Sequence, residues 1–109
     1  MINIKFFVHN GQINGYELSG HSGYAPYGRD IVCAAVSSAA EMTANTITQI
    51  IGINAEISQS DDGFLKVLIP EGREQEAQVV LKGLRLHLRC IAKDFSANVR
   101  IRYGGTNNA

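Results

Sequence analysis

A chain of 109 residues, 45% hydrophobic and 18% charged, has the size and make-up of one globular domain with a real core. Ten basic residues balance ten acidic ones, so no overall field draws it to nucleic acid or to an anionic membrane surface. No apolar run approaches the ~20 residues that span a bilayer, and the start MINIKFFVHN lacks the apolar length and cleavage pattern of a signal peptide. These features predict a cytoplasmic protein whose two cysteines, Cys33 and Cys90, stay reduced and, without a CxxC, build no zinc site.

In chain order, Ile2, Ile4, Phe6 and Val8 alternate with Asn3, Lys5, Phe7 and His9, a strand with one strongly apolar face. Asn10-Gly11 suits a tight hairpin turn, and Ile13 to Ser19 returns with Tyr16 and Leu18 on one face. The segment Ser22 to Arg29 holds Gly23, Pro26 and Gly28 and reads as an irregular, mobile loop. Asp30 is a suitable N-cap for a helix from about Ile31 to Ile51, stopped near Gly52. Ala34, Ala35, Ser37, Ser38, Ala39 and Ala40 crowd its first half, which predicts close packing on more than one side.

Ala55 to Gln59 and Phe64 to Ile69 flank Ser60-Asp61-Asp62-Gly63 as a second hairpin closed by Pro70. A second helix from about Arg73 to Lys93 carries a main apolar stripe of Ala77, Val80, Leu81, Leu84, Leu88, Ile91 and Ala92. Val79, Leu86 and Cys90 make a thinner second stripe, which in so small a domain predicts a homodimer through helices. Val99, Ile101 and Tyr103 alternate with Arg100 and Arg102 in a last strand. The expected order is β-β-α-β-β-α-β: one α+β domain over residues 1–104, a mainly antiparallel sheet packed against two long helices, with 105–109 a disordered tail.

The chemistry concentrates in GHSGYAPYGRDIVCAAVSS, Gly20 to Ser38. His21 ends a strand, and Asp30 as N-cap puts Cys33 in the first helical turn, where the helix dipole favours thiolate over thiol. A free thiol with a pKa of about 8.5 is only ~3% thiolate at neutral pH, so a nearby imidazole matters. A strand–loop–helix connection brings the two ends together, which makes His21 and Cys33 candidates for a nucleophile and its base. Amides at the helix start are candidate oxyanion donors. Asp30 opposes thiolate formation unless its charge is tied up in capping or shared with His21, and Ser37 lies one turn beyond Cys33. Against this, a cysteine in IVCAAV is more often a buried small hydrophobe, and a histidine after glycine is more often a loop residue. Cys90 reads as packing, His9 and His87 have no obvious partners, and Asp61 and Asp62 read as solvated turn residues.

The same segment resembles the signature of the ribosomal-processing cysteine proteases, the Prp (YsxB-like) family. The matching residues are Gly20-His21, Gly28, Asp30-Ile31-Val32-Cys33-Ala34 and Ser37; Ser22 stands where the family usually has alanine. The hairpin, the Asp-Asp-Gly turn and the long second helix extend the likeness over nearly the whole chain. The resemblance implies an endopeptidase that removes the N-terminal extension of ribosomal protein twenty-seven of the large subunit. It implies Cys33 as nucleophile, His21 as general base and later acid, and a thioester acyl-enzyme. Asp30, Ser37 and Gly20 would support the site, the loop with Ser22, Gly23, Pro26 and Gly28 would move as substrate binds, and the protein would be a homodimer. No cofactor or metal is implied. The alternatives from the residues are a non-enzymatic ribosome-assembly or ribosome-associated binding protein, and a thiol redox sensor that would need Cys33 and Cys90 adjacent.

Overall fold

The computed structural model describes residues 1–21, 23–26 and 30–105. Strand β1 (Ile2–His9) turns through Asn10 and Gly11, at φ of 50° and 76°, into β2 (Gln12–Ser19). Helix α1 (Ile31–Asn45) runs on into a π-helical turn, Thr46–Ile51. Strands β3 (Glu56–Gln59) and β4 (Leu65–Leu68), helix α2 (Glu74–Asp94) and strand β5 (Val99–Gly104) complete the chain. The five-stranded sheet has the order β3-β4-β2-β1-β5, antiparallel except where β5 pairs parallel with β1. The α+β class and the element order agree with the sequence reading. The tail residues 106–109 lie outside the described residues, and Gly105 follows the last strand.

The alternation read from sequence creates the core. Ile2, Ile4, Phe6, Tyr16, Leu18, Val67 and Val99 are buried with Ala77, Leu81, Leu84 and Leu88 of the main α2 stripe. Val79, Leu86 and Cys90 stand exposed as the second stripe. Helix α2 is also fastened by a polar clamp: the Gln78 side chain accepts from the Ile13 amide at 3.0 Å and donates to its carbonyl at 2.7 Å. This clamp sits beside a register shift in the β1–β2 pairing, between Phe7 and Val8, where a bulge disturbs the ladder.

Three local readings need correction. Phe7, on the face opposite the core stripe, is buried, because Lys5 and Lys66 lie over its ring at 5.1 and 5.3 Å and cover it with their stems. The first helix is not regular to its end: Thr43, Thr46 and Thr48 hydroxyls bond the carbonyls of Ala39, Met42 and Ala44, competing with the backbone ladder where it widens into the π turn. The small residues of α1 do not pack on several sides within one chain. Val32, Val36, Ala40, Thr43 and Ala44 form one buried face, and Ala34, Ala35, Ser37 and Ser38 are exposed.

Tyr16 ties the sheet to α1 by donating its buried hydroxyl to the Ala40 carbonyl at 2.8 Å. Burial raises its pKa well above the ordinary tyrosine value. The folded state therefore holds the phenolic proton more tightly than the unfolded chain does. That contribution to stability is complete below about pH 10 and is lost as pH rises beyond it toward the raised folded value. Tyr16→Phe is expected to cost about 1 kcal/mol at neutral pH and to weaken the alkaline loss of stability, as read by urea unfolding at about pH 7 and about pH 11.

Candidate active site

The histidine and the cysteine arrive from opposite layers. His21 follows directly from β2 after Gly20, whose φ of +84° places an added Cβ only 2.4 Å from the Met1 carbonyl oxygen. The Met1 nitrogen in turn donates to the His21 carbonyl, so the strand end is pinned to the start of β1. Gly20→Ala is accordingly expected to destabilise the fold by about 1–3 kcal/mol and to displace His21, measured as a fall in thermal midpoint together with loss of turnover.

Cys33 is held from the helix side. The Asp30 carboxylate accepts from the Cys33 amide at 2.9 Å, and the Asp30 carbonyl accepts from Ala34 at 3.0 Å. Asp30 is thus the N-cap and Cys33 the third helical residue, as the sequence reading placed them. The cap also engages the cysteine's own amide, so that amide is already occupied as a candidate oxyanion donor. Cys33 is half-buried and Ser37, one turn further, is exposed.

Two clefts meet at these residues. One of about 370 Å³ is lined by Gly20, His21, Cys33 and Ser37 together with Val36, Glu41, Phe64 and Leu65. The other, about 450 Å³, is lined by His21, Gly23, Ala25, Asp30, Cys33, Ala34 and Ser37. His21, Cys33 and Ser37 line both. The structure therefore brings together Gly20, His21, Gly23, Asp30, Cys33 and Ser37. Pro26 is exposed, while Ser22 and Gly28 lie outside the described residues. Tyr24, on the described part of the loop, meets Phe95 edge to face at 5.4 Å.

Sequence reasoning missed one wall. Ser60, Asp61 and Gly63 of the β3–β4 turn line the first cleft, although Asp61 reads from sequence as a solvated turn residue. The sequence signal was the turn itself, which gives no hint of which element it faces. Glu41 was also missed, although it repeats the spacing of Cys33 and Ser37 along α1. Cys33 and Cys90 are both free thiols, and no group of His, Cys, Asp or Glu among the described residues could hold a metal ion. No helix among the described residues is long and apolar enough to cross a membrane.

A thiol in a first helical turn, facing a cleft shared with a histidine on a five-stranded α+β scaffold, is the layout of a cysteine-dependent hydrolase. The sequence matches the family described as Cysteine protease Prp over residues 1–100, and the chain belongs to that family of cysteine proteases. It is 30% identical over 99 residues to the Ribosomal processing cysteine protease Prp of Bacillus subtilis, covering 85% of this chain and 88% of that protein. It is 27% identical over 105 residues to the protein of the same description from Staphylococcus aureus, covering 94% and 99%.

Solved structures agree. The fold matches an essential ribosomal processing protease Prp from S. aureus in complex with a covalently linked product peptide, at a TM-score of 0.88, 27% identity and coverage of 94% and 99%. It matches the S. aureus protease in complex with a substrate peptide at a TM-score of 0.82 and 26% identity, with the same coverage.

Proposed function

We propose that this cysteine endopeptidase removes the N-terminal extension of ribosomal protein twenty-seven of the large subunit, using Cys33 and His21 as a dyad. The observation that carries the dyad is that His21 and Cys33, with Ser37, line both clefts, so the two groups border the same space for a peptide. The His21 imidazole takes the Sγ proton as sulfur attacks the scissile carbonyl, and then delivers it to the leaving amine as the C–N bond breaks. The acyl fragment remains on sulfur as a thioester. A water deprotonated by His21 attacks this ester, freeing the carboxylate and restoring the thiol.

Asp30 fixes the helix start that presents Cys33, Gly20 fixes the strand end that presents His21, and Ser37 hydrogen-bonds substrate or sulfur. On the described part of the loop, Gly23 and Pro26 adjust over the bound peptide. The protein works in the cytoplasm without a cofactor, with no direct nucleic-acid or membrane contact. Two copies associate through the helices, a reading supported by Met42, Val79 and Leu86, which are 57%, 88% and 64% exposed.

The test is incubation of purified protein with a peptide spanning the junction between the extension and the mature start of that ribosomal protein. Mass spectrometry is expected to find one cut at the junction. An intact peptide after prolonged incubation, alongside cleavage of an unrelated sequence, would reject the substrate assignment.

A further inference from the structure

The two groups of the dyad are held very differently. Cys33 sits in a capped helix, whereas His21 is exposed and lies just past the end of β2. Its own element does not fix its ring. Strands β2 and β4 pair antiparallel with Leu18 opposite Leu65, and continuing that register two residues brings Gly20 opposite Gly63. The β3–β4 turn is thereby delivered to the histidine. A Cβ on Gly63 would stand 3.5 Å from His21 Cε1, 3.9 Å from Nδ1 and 3.3 Å from the Gly20 carbonyl oxygen. A methyl group at 63 would thus just meet the Nδ1–Cε1 edge of the imidazole, and a longer side chain continuing toward the ring would press on it.

The turn is itself tied down. Ser60 donates its amide to the Phe64 carbonyl at 3.1 Å and its hydroxyl to the Asp62 carboxylate, and Gly63 adopts a φ of +89°. We propose that Gly63 is a positioning residue for His21: the β3–β4 turn is the seat of the imidazole, and the missing side chain at 63 sets where the ring lies relative to Cys33. This rests on His21 being the acid–base partner. A base displaced by a fraction of an ångström keeps its substrate affinity but loses rate, because proton transfer needs hydrogen-bond reach.

Gly72 supplies a matched control, since its φ is +94° and an added Cβ there meets nothing within 4 Å. Gly63→Asn and Gly72→Asn are compared in kcat and KM on the junction peptide, in the pH profile of kcat/KM, and in the NMR titration of the His21 Cε1–H resonance, assigned with His21→Ala. Gly63→Asn is expected to lower kcat about tenfold or more with KM held within about twofold, and to shift both the pH profile and the His21 resonance. Gly72→Asn is expected to leave all of these unchanged. Parental kcat and titration in Gly63→Asn, or an equal loss in Gly72→Asn, would overturn the proposal. Full turnover by His21→Ala would instead remove the catalytic reading, and the NMR comparison would still decide whether the turn seats the ring.

Discussion

Cys33→Ala is expected to reduce cleavage of the junction peptide by about 10³-fold or more, to the uncatalysed background, while leaving the fold intact. Cys33 is half-buried, packed against the edge of the core while lining the clefts, so its truncation removes a modest contact and opens no enclosed core site. The thermal midpoint should therefore stay within about 2 °C of the parent. His21→Ala should fall nearly as far, since no base is then placed to take the thiol proton as sulfur attacks or to hand it to the leaving amine. The double variant should be no worse than Cys33→Ala, because the two groups act as one unit and their losses do not add. Peptide turnover and thermal unfolding measured on the same preparations check this. A Cys33→Ala protein that cleaves at the parental rate would exclude Cys33 as nucleophile.

The second large effect concerns stability. Leu81 is fully buried on the main stripe of α2, whereas Leu86 on the second stripe is 64% exposed. Leu81→Ala is expected to cost about 2–5 kcal/mol through lost burial and an unfilled cavity. Against a typical total of about 5–15 kcal/mol for a domain, that is enough to leave the protein near its unfolding threshold at ordinary temperature. Leu86→Ala should cost under about 0.5 kcal/mol within one chain. If the second stripe is the contact between two copies, Leu86→Asp should shift the mass measured by light scattering from dimer to monomer while far-ultraviolet circular dichroism stays unchanged. Equal destabilisation by Leu81→Ala and Leu86→Ala in urea would contradict the two-stripe description.

Much of this architecture was legible because each element carries its own local signal. Alternation in β1 and β2, the Asn10-Gly11 turn, the Asp30 cap and the α2 stripe are short-range patterns, and each lies where those patterns put it. What escaped were contacts between elements distant in sequence. Phe7 looks solvent-facing by alternation until Lys66 arrives from β4 to cover it. Gln78 looks like a polar helix residue, and only the irregular pairing at Ile13 gives its amide both a donor and an acceptor to satisfy. The crowd of alanines and serines on α1 reads as close packing, but Ala34 and Ser37 form a wall of the cleft.

The site divides along the same line. His21, Asp30, Cys33 and Ser37 lie within one continuous segment, where capping and helical spacing relate three of them without tertiary information. Asp61 and Gly63 reach the site only through the pairing of β4 with β2, a relation no local pattern in Ser60-Asp61-Asp62-Gly63 encodes. The family resemblance supplied the substrate class, which neither helix geometry nor cleft volume specifies.

The most direct measurement is to trap the covalent intermediate. Enzyme and junction peptide are mixed, quenched in acid during turnover and weighed intact, and the adduct is then mapped by peptide sequencing. The expected result is a mass increase equal to the N-terminal fragment of the peptide less one water, located on Cys33, absent in Cys33→Ala and lost on treatment with hydroxylamine. An adduct on another residue, or parental cleavage by a Cys33→Ala protein that carries none, would contradict the assignment of Cys33 as the nucleophile.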